Sequence, residues 1–138
     1  MFLYGNGEWL INEIAPRPHN SGHYSMDVCS VSQFEQQVRV LCGLPIIAPE
    51  ILSPAILVNI LGSEIEKLSE DGGPISKILS LSGIRFYHYR KTIMKPGRKM
   101  GHLLIMNEDA QKAWDQALFI KDLLTESTAE DKLNSSVL

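Results

Sequence analysis

The chain has 138 residues, is 44% hydrophobic and 21% charged, and carries a net charge of −3. That suits a globular protein of one domain, or one domain plus part of another. No apolar run approaches the roughly 20 residues of a membrane span, the N-terminus lacks a signal-peptide pattern, and the charge, basic only locally, points to a small or local anion more than to a nucleic-acid duplex.

In chain order, Phe2–Tyr4 and Glu8–Ile14 read as two strands joined by Gly5-Asn6-Gly7, a hairpin signal because both turn positions tolerate positive φ. Residues 15–22 hold two prolines, Asn, Ser and Gly and form a loop. Tyr24–Cys29 fits either a helical turn or a bend. Ser32–Cys42 is the clearest helix: Ser32 and Glu35 make a capping-box pair, Phe34, Val38 and Leu41 form an apolar stripe, and Gly43 and Pro45 end it. Ala55–Leu61 is a short apolar run expected to be a buried strand. Glu64–Asp71 is polar, Gly72-Gly73 is a loop, and Pro74 opens a short helix through Leu81.

Ile84–Lys91 and Met100–Met106 read as strands separated by a loop with Pro96-Gly97. Asn107 is expected to cap a last helix with Ala110, Ala113, Trp114, Ala117, Ile120 and Leu124 on its buried stripe. Residues 125–138 turn to Ser, Thr, Glu, Asp and Asn and read as a disordered tail. Strand and helix do not alternate regularly, so the fold class is α+β. Cys29 and Cys42 sit in apolar contexts and read as reduced packing residues of a cytoplasmic protein.

Two clusters carry chemistry. In the first, Glu13 lies at a strand end beside Asn12, and a carboxylate there suits magnesium, a hard ion that shares its shell with phosphate oxygens; a surface glutamate would look the same. Arg17 and His19 alternate in a loop stiffened by Pro16 and Pro18, so both can face one ligand. Asn20, Ser21 and Gly22 add donors suited to an anion. A loop satisfying its own backbone has the same composition.

The second cluster is basic. Residues 85–102 contain six of the chain's thirteen Lys/Arg and two histidines, with no acid. Phe86, His88 and Arg90 share one strand face, and Tyr87, Tyr89 and Lys91 the other. The step from Lys91 to Arg98 across Pro96-Gly97 brings cations together if an anion lies between them; a solvated basic hairpin is the alternative. His102 reads as a packing or hydrogen-bonding core residue. No Walker loop, nucleophile elbow, GxGxxG turn or HExxH is present.

The run Asn12-Glu13-Ile14-Ala15-Pro16-Arg17-Pro18-His19-Asn20-Ser21-Gly22-His23, followed by Ser32-Gln33-Phe34-Glu35 and Gly43-Leu44-Pro45, resembles the ATPase subunit of phosphoribosylaminoimidazole carboxylase, an ATP-grasp ligase family of purine biosynthesis. Residues 95–102 resemble its second signature. The resemblance implies ATP-dependent carboxylation of aminoimidazole ribonucleotide by bicarbonate through carboxyphosphate, with Mg2+. It implies Asn12 and Glu13 on the ATP side, with Glu13 a metal ligand, and Arg17, His19, Asn20 and Lys91 as catalytic residues. Ser21, Lys91, Arg98 and Lys99 are implied to bind the substrate.

It also implies residues 1–47 as the end of an ATP-grasp domain and 48–124 as the family's small C-terminal domain, with the N-terminal part of the enzyme missing. A homodimer is compatible with the resemblance. Arg90 stands where the family has a small or acidic residue. The alternative is a non-catalytic interaction or complementing subunit derived from this fold.

Overall fold

The computed structural model describes residues 2–71 and 73–125, with Ser69 described by its backbone alone. The chain divides into two units, Met1–Glu50 and Ile51–Leu138. The expected tail at 125–138 lies outside the described residues, apart from Thr125.

In the first unit, β1 (Phe2–Leu3) pairs antiparallel with β2 (Trp9–Leu10). The turn closes through the Gly7 N–H donating to the Tyr4 carbonyl, 2.9 Å, with Gly7 at φ 85°. Asn6 Oδ1 accepts from the Glu8 N–H at 3.1 Å. The second strand is shorter than its sequence pattern, because residues 11–15 have no strand pairing. A 3-10 turn (Asn20–Gly22) and α1 (Ser25–Val28) follow, so the 24–29 segment is helical.

The helix α2 (Gln33–Leu41) begins where Ser32 Oγ accepts from the Glu35 N–H at 3.1 Å. Its stripe faces solvent: Phe34, Val38 and Leu41 are 37%, 56% and 78% exposed. The only residues buried here, among those described, are Ser25, Val28 and Val31. Cys42 is exposed and Cys29 half-buried, so the packing role expected for Cys42 does not hold.

One side chain ties the loop to this helix. The Gln33 amide donates through Nε2 to the His19 carbonyl and accepts through Oε1 from the His19 N–H, both at 2.9 Å. Ser25 Oγ continues the network, donating to the Gly22 carbonyl at 2.6 Å and accepting from the Gln33 N–H at 3.0 Å. Gly22 lies against this clamp; a Cβ there would stand 2.5 Å from Gln33 Oε1.

The second unit is a three-stranded antiparallel sheet of order β3-β5-β4. β3 is Ala55–Leu61, β4 Ile84–His88 and β5 Lys99–Met106. Val58 and Phe86 both oppose Leu103, and Ile56 and Ile84 both oppose Ile105. These apolar side chains share one face by strand alternation. The opposite face carries Asn59, His102 and Tyr87 in a row across the three strands. A bulge between Ile60 and Leu61 shifts the register, so that Leu61 opposes Lys99.

Three helices complete this unit: α3 (Gly62–Ser69), α4 (Ile75–Leu79) and α5 (Ala110–Thr125). The segment read as merely polar is α3. Its Ile65 and Leu68 are buried, and Glu64 accepts at its N-terminus from the Leu61 N–H at 2.6 Å. From α5, Ala113, Ala117, Ile120 and Leu124 enter the core with Leu103 and Ile105, whereas Ala110 and Trp114 are exposed. The cap of α5 is Asp109, whose carboxylate accepts from the Gln111 and Lys112 N–H groups; Asn107 accepts from Asp109 itself.

Gly62→Ala is expected to destabilise the second unit by about 1–3 kcal/mol in urea denaturation, because its Cβ would stand 2.2 Å from the Lys95 carbonyl oxygen. Gln33→Leu is expected to speed hydrogen exchange at the His19 amide on the order of tenfold, the loss of about 1–2 kcal/mol of local protection. Gln33→Glu, which keeps an acceptor for that N–H but sets a second carboxylate oxygen against the His19 carbonyl, is expected to restore only part of it.

Candidate functional site

The sequence-predicted residues fall on two loops, one in each unit. In the first unit Glu13, His19 and Ser21 meet. His19 Nδ1 lies 2.8 Å from Ser21 Oγ and accepts from the Ser21 N–H at 3.3 Å. Nε2 is directed at Glu13, 3.7 Å from Oε1. That distance is longer than a hydrogen bond, so the carboxylate and the imidazole stand side by side without one closing the other off.

Local sequence explains the arrangement. His19 has extended backbone angles and caps the 3-10 turn, while the Gln33 amide fixes its peptide groups on both sides. Arg17 is exposed, with Nη1 donating to the Pro18 carbonyl at 3.0 Å. A groove of about 560 Å³ beside it is lined by Pro16, Arg17, Pro18, Gln33 and Leu41, among others. Asn20 lies in the 3-10 turn and Asn12 is exposed.

Glu13 offers an exposed carboxylate, its side chain 63% accessible, and a hard divalent cation would accept it as one oxygen ligand. Among the described residues no group of three or more His, Cys, Asp or Glu gathers for a metal. The donor set therefore fits one corner of a cation shell, with phosphate oxygens suited to other positions.

In the second unit the basic loop is held by its own backbone. Lys91 Nζ donates to the Lys99 carbonyl at 2.6 Å, and Arg98 Nη1 to the Ile93 carbonyl at 3.1 Å. Arg98 also closes a turn, its N–H donating to the Lys95 carbonyl at 2.9 Å. Lys99 begins β5 and is exposed. β4 ends at His88, three residues before its sequence pattern does, and Arg90 adopts φ 53°.

Reading the sequence for charge misses Gln33, Ser25 and Tyr89, which orient the charged groups without being charged themselves. A signal for Gln33 exists in its position, the first residue of α2, directly after the cap.

The geometry has counterparts in known proteins. Residues 1–34 match the model of the ATP-grasp domain, and residues 55–116 that of the phosphoribosylaminoimidazole carboxylase C-terminal domain. The N5-carboxyaminoimidazole ribonucleotide synthase of Bacillus subtilis is 44% identical over 118 residues, covering 86% of this chain. The crystal structure of N5-carboxyaminoimidazole ribonucleotide synthetase from Thermotoga maritima superposes with a TM-score of 0.75 at 41% identity, over 89% of this chain and 34% of that one.

The N5-carboxyaminoimidazole synthase of Aspergillus clavatus, solved with ADP and 5-aminoimidazole ribonucleotide, gives 0.76 at 32% identity, over 91% of this chain and 34% of that one. The chain spans 29% of the length of the Bacillus relative. Residues 1–34 thus belong with the ATP-grasp domain and residues 55–116 with the phosphoribosylaminoimidazole carboxylase C-terminal domain, and the chain is similar to the corresponding part of the N5-carboxyaminoimidazole ribonucleotide synthases.

Proposed function

We propose that this chain supplies carboxylate- and ribonucleotide-binding groups of an ATP-dependent ligase that carboxylates aminoimidazole ribonucleotide with bicarbonate. The observation that carries the reading is the Glu13–His19–Ser21 chain of contacts, which sets a carboxylate and an imidazole side by side on the segment that matches the ATP-grasp domain. Bicarbonate attacks the γ-phosphorus of ATP, giving carboxyphosphate and ADP. The exocyclic amine of the ribonucleotide then takes the carboxyl group, phosphate leaves, and the amine loses a proton.

Negative charge accumulates on the one-carbon acid through both steps, and preorganised donors stabilise it. Arg17 offers a planar fork to a carboxylate. His19 and Asn20 supply further polar groups on the same loop, and Ser21, in contact with the His19 ring, orients the imidazole. Lys91, Arg98 and Lys99 serve the ribonucleotide phosphate or the reacting carboxylate. Asn12 and Glu13 stand on the nucleotide side, where Glu13 would supply one oxygen ligand to a magnesium ion, whose charge would neutralise that of the phosphates. No described helix is long and apolar enough to cross a membrane, and a cytoplasmic site of action accords with small polar substrates.

The test mixes the purified chain with a polypeptide supplying the remaining part of the relatives' length and follows ribonucleotide-stimulated ADP formation. The mixture is expected to be active and the 138-residue chain alone inactive. Arg17→Ala and His19→Ala are each expected to lower kcat/KM on the order of 10²–10³-fold. Absence of stimulated ADP formation in the mixture, or activity indifferent to both substitutions, overturns the proposal.

A further inference from the structure

The basic loop is anchored by residues outside the charged set. His102 is buried, 2% exposed, on the central strand. Its ring stacks on Tyr87 at 4.8 Å between centroids, and its Nδ1 lies 2.7 Å from the Tyr89 hydroxyl. Tyr89 in turn carries Lys91: Nζ sits 5.2 Å from the centre of the Tyr89 ring, within cation–π range.

The same ammonium donates to the Lys99 carbonyl, one of the three N–H donors a lysine carries. Between the two residues Arg90 takes a left-handed φ of 53°, so the chain leaves its strand path at this point. The Tyr89 N–H is bonded to the Met100 carbonyl at 2.8 Å, fixing the backbone beneath the ring.

We propose that Tyr89, locked by the buried His102, is the positioning residue for Lys91, holding its ammonium in one place before an anionic substrate group arrives. The proposal rests on the reading of Lys91 as a substrate-binding cation. Its physical basis is preorganisation: a lysine has rotatable stem bonds, and fixing them beforehand removes an ordering cost from binding. A ring and a carbonyl together define the position better than either alone. The ligand class is a phosphate monoester or a carboxylate, since a point-charge ammonium does not demand a planar partner.

The first arm of the test uses the 138-residue chain. In a proton–carbon correlation spectrum the Lys91 ε-methylene, assigned by its loss in Lys91→Met, is expected upfield of the other lysines because of the Tyr89 ring current. Tyr89→Leu is expected to abolish that shift. Tyr89→Phe, which keeps the ring but drops the hydroxyl held by His102, is expected to lie between. A Lys91 signal coincident with the other lysines in the parent chain overturns the proposal whether or not Tyr89→Leu folds, and so does an upfield shift that survives in a folded Tyr89→Leu.

The second arm uses the active mixture described above. Tyr89→Leu is expected to raise KM for the ribonucleotide about fivefold, with a smaller change in kcat and with Tyr89→Phe intermediate. An unchanged KM in Tyr89→Leu overturns the positioning role. An inactive parent mixture overturns the functional reading instead, and the spectrum then decides the Tyr89–Lys91 geometry on its own.

Discussion

The strand β5 has hydrogen-bonding neighbours along both sides, and that constraint organises the second unit. Its peptide groups are committed to β3 and β4, its Met100, Leu103, Leu104 and Ile105 are fully buried, and any residue on it has a fixed position and a fixed face. Gly101 follows from this: a Cβ there would stand 2.4 Å from the Tyr87 carbonyl. His102 follows too, since strand alternation turns it to the side away from Leu103 and onto the tyrosines. A basic loop between two such strands inherits their rigidity, and its cations can be presented at defined points instead of being scattered in solvent.

The first unit reaches a similar end by a different route. It has few buried apolar side chains, so polar contacts do the positioning. A single amide, Gln33, occupies both the donor and the acceptor of the His19 backbone. With the backbone held, the Ser21 N–H and hydroxyl can orient the imidazole. The chain of cause runs from a helix N-terminus, through an uncharged side chain, to the orientation of a ring. Both units thus use neutral residues (Gln33, Ser21 and Tyr89) to give charged or ionisable ones their direction.

Much of this was legible in the sequence, and the exceptions have physical reasons. Ala55–Leu61 is a strand with the same bounds as its apolar run, and α2 begins directly after the Ser32 cap. The helix α3 escapes a reading by overall polarity because only Ile65 and Leu68 of its periodic pattern are apolar and buried; Glu64 capping Leu61 was the available signal. Asp109 displaces Asn107 as the cap of α5 because its carboxylate reaches two N–H groups of the first turn. Periodicity correctly marked Phe34, Val38 and Leu41 as one stripe, but a stripe says which face is apolar, not whether this stretch of chain covers it. Charge and spacing drew attention to the candidate residues; their supports escaped notice, since Gln33 is marked only by its place after the Ser32 cap and Tyr89 by no pattern of its own.

The two tryptophans have an optical consequence. Trp9 on β2 is 65% exposed and Trp114 on α5 is 53% exposed, one in each unit. An indole already in water gains little further hydration when the chain around it unfolds. Intrinsic emission from this chain is therefore a poor thermometer of denaturation. It would respond mainly when another surface dries one of the rings, shifting the spectrum to the blue, and with one indole per unit, replacing either by phenylalanine would tell which half had been covered.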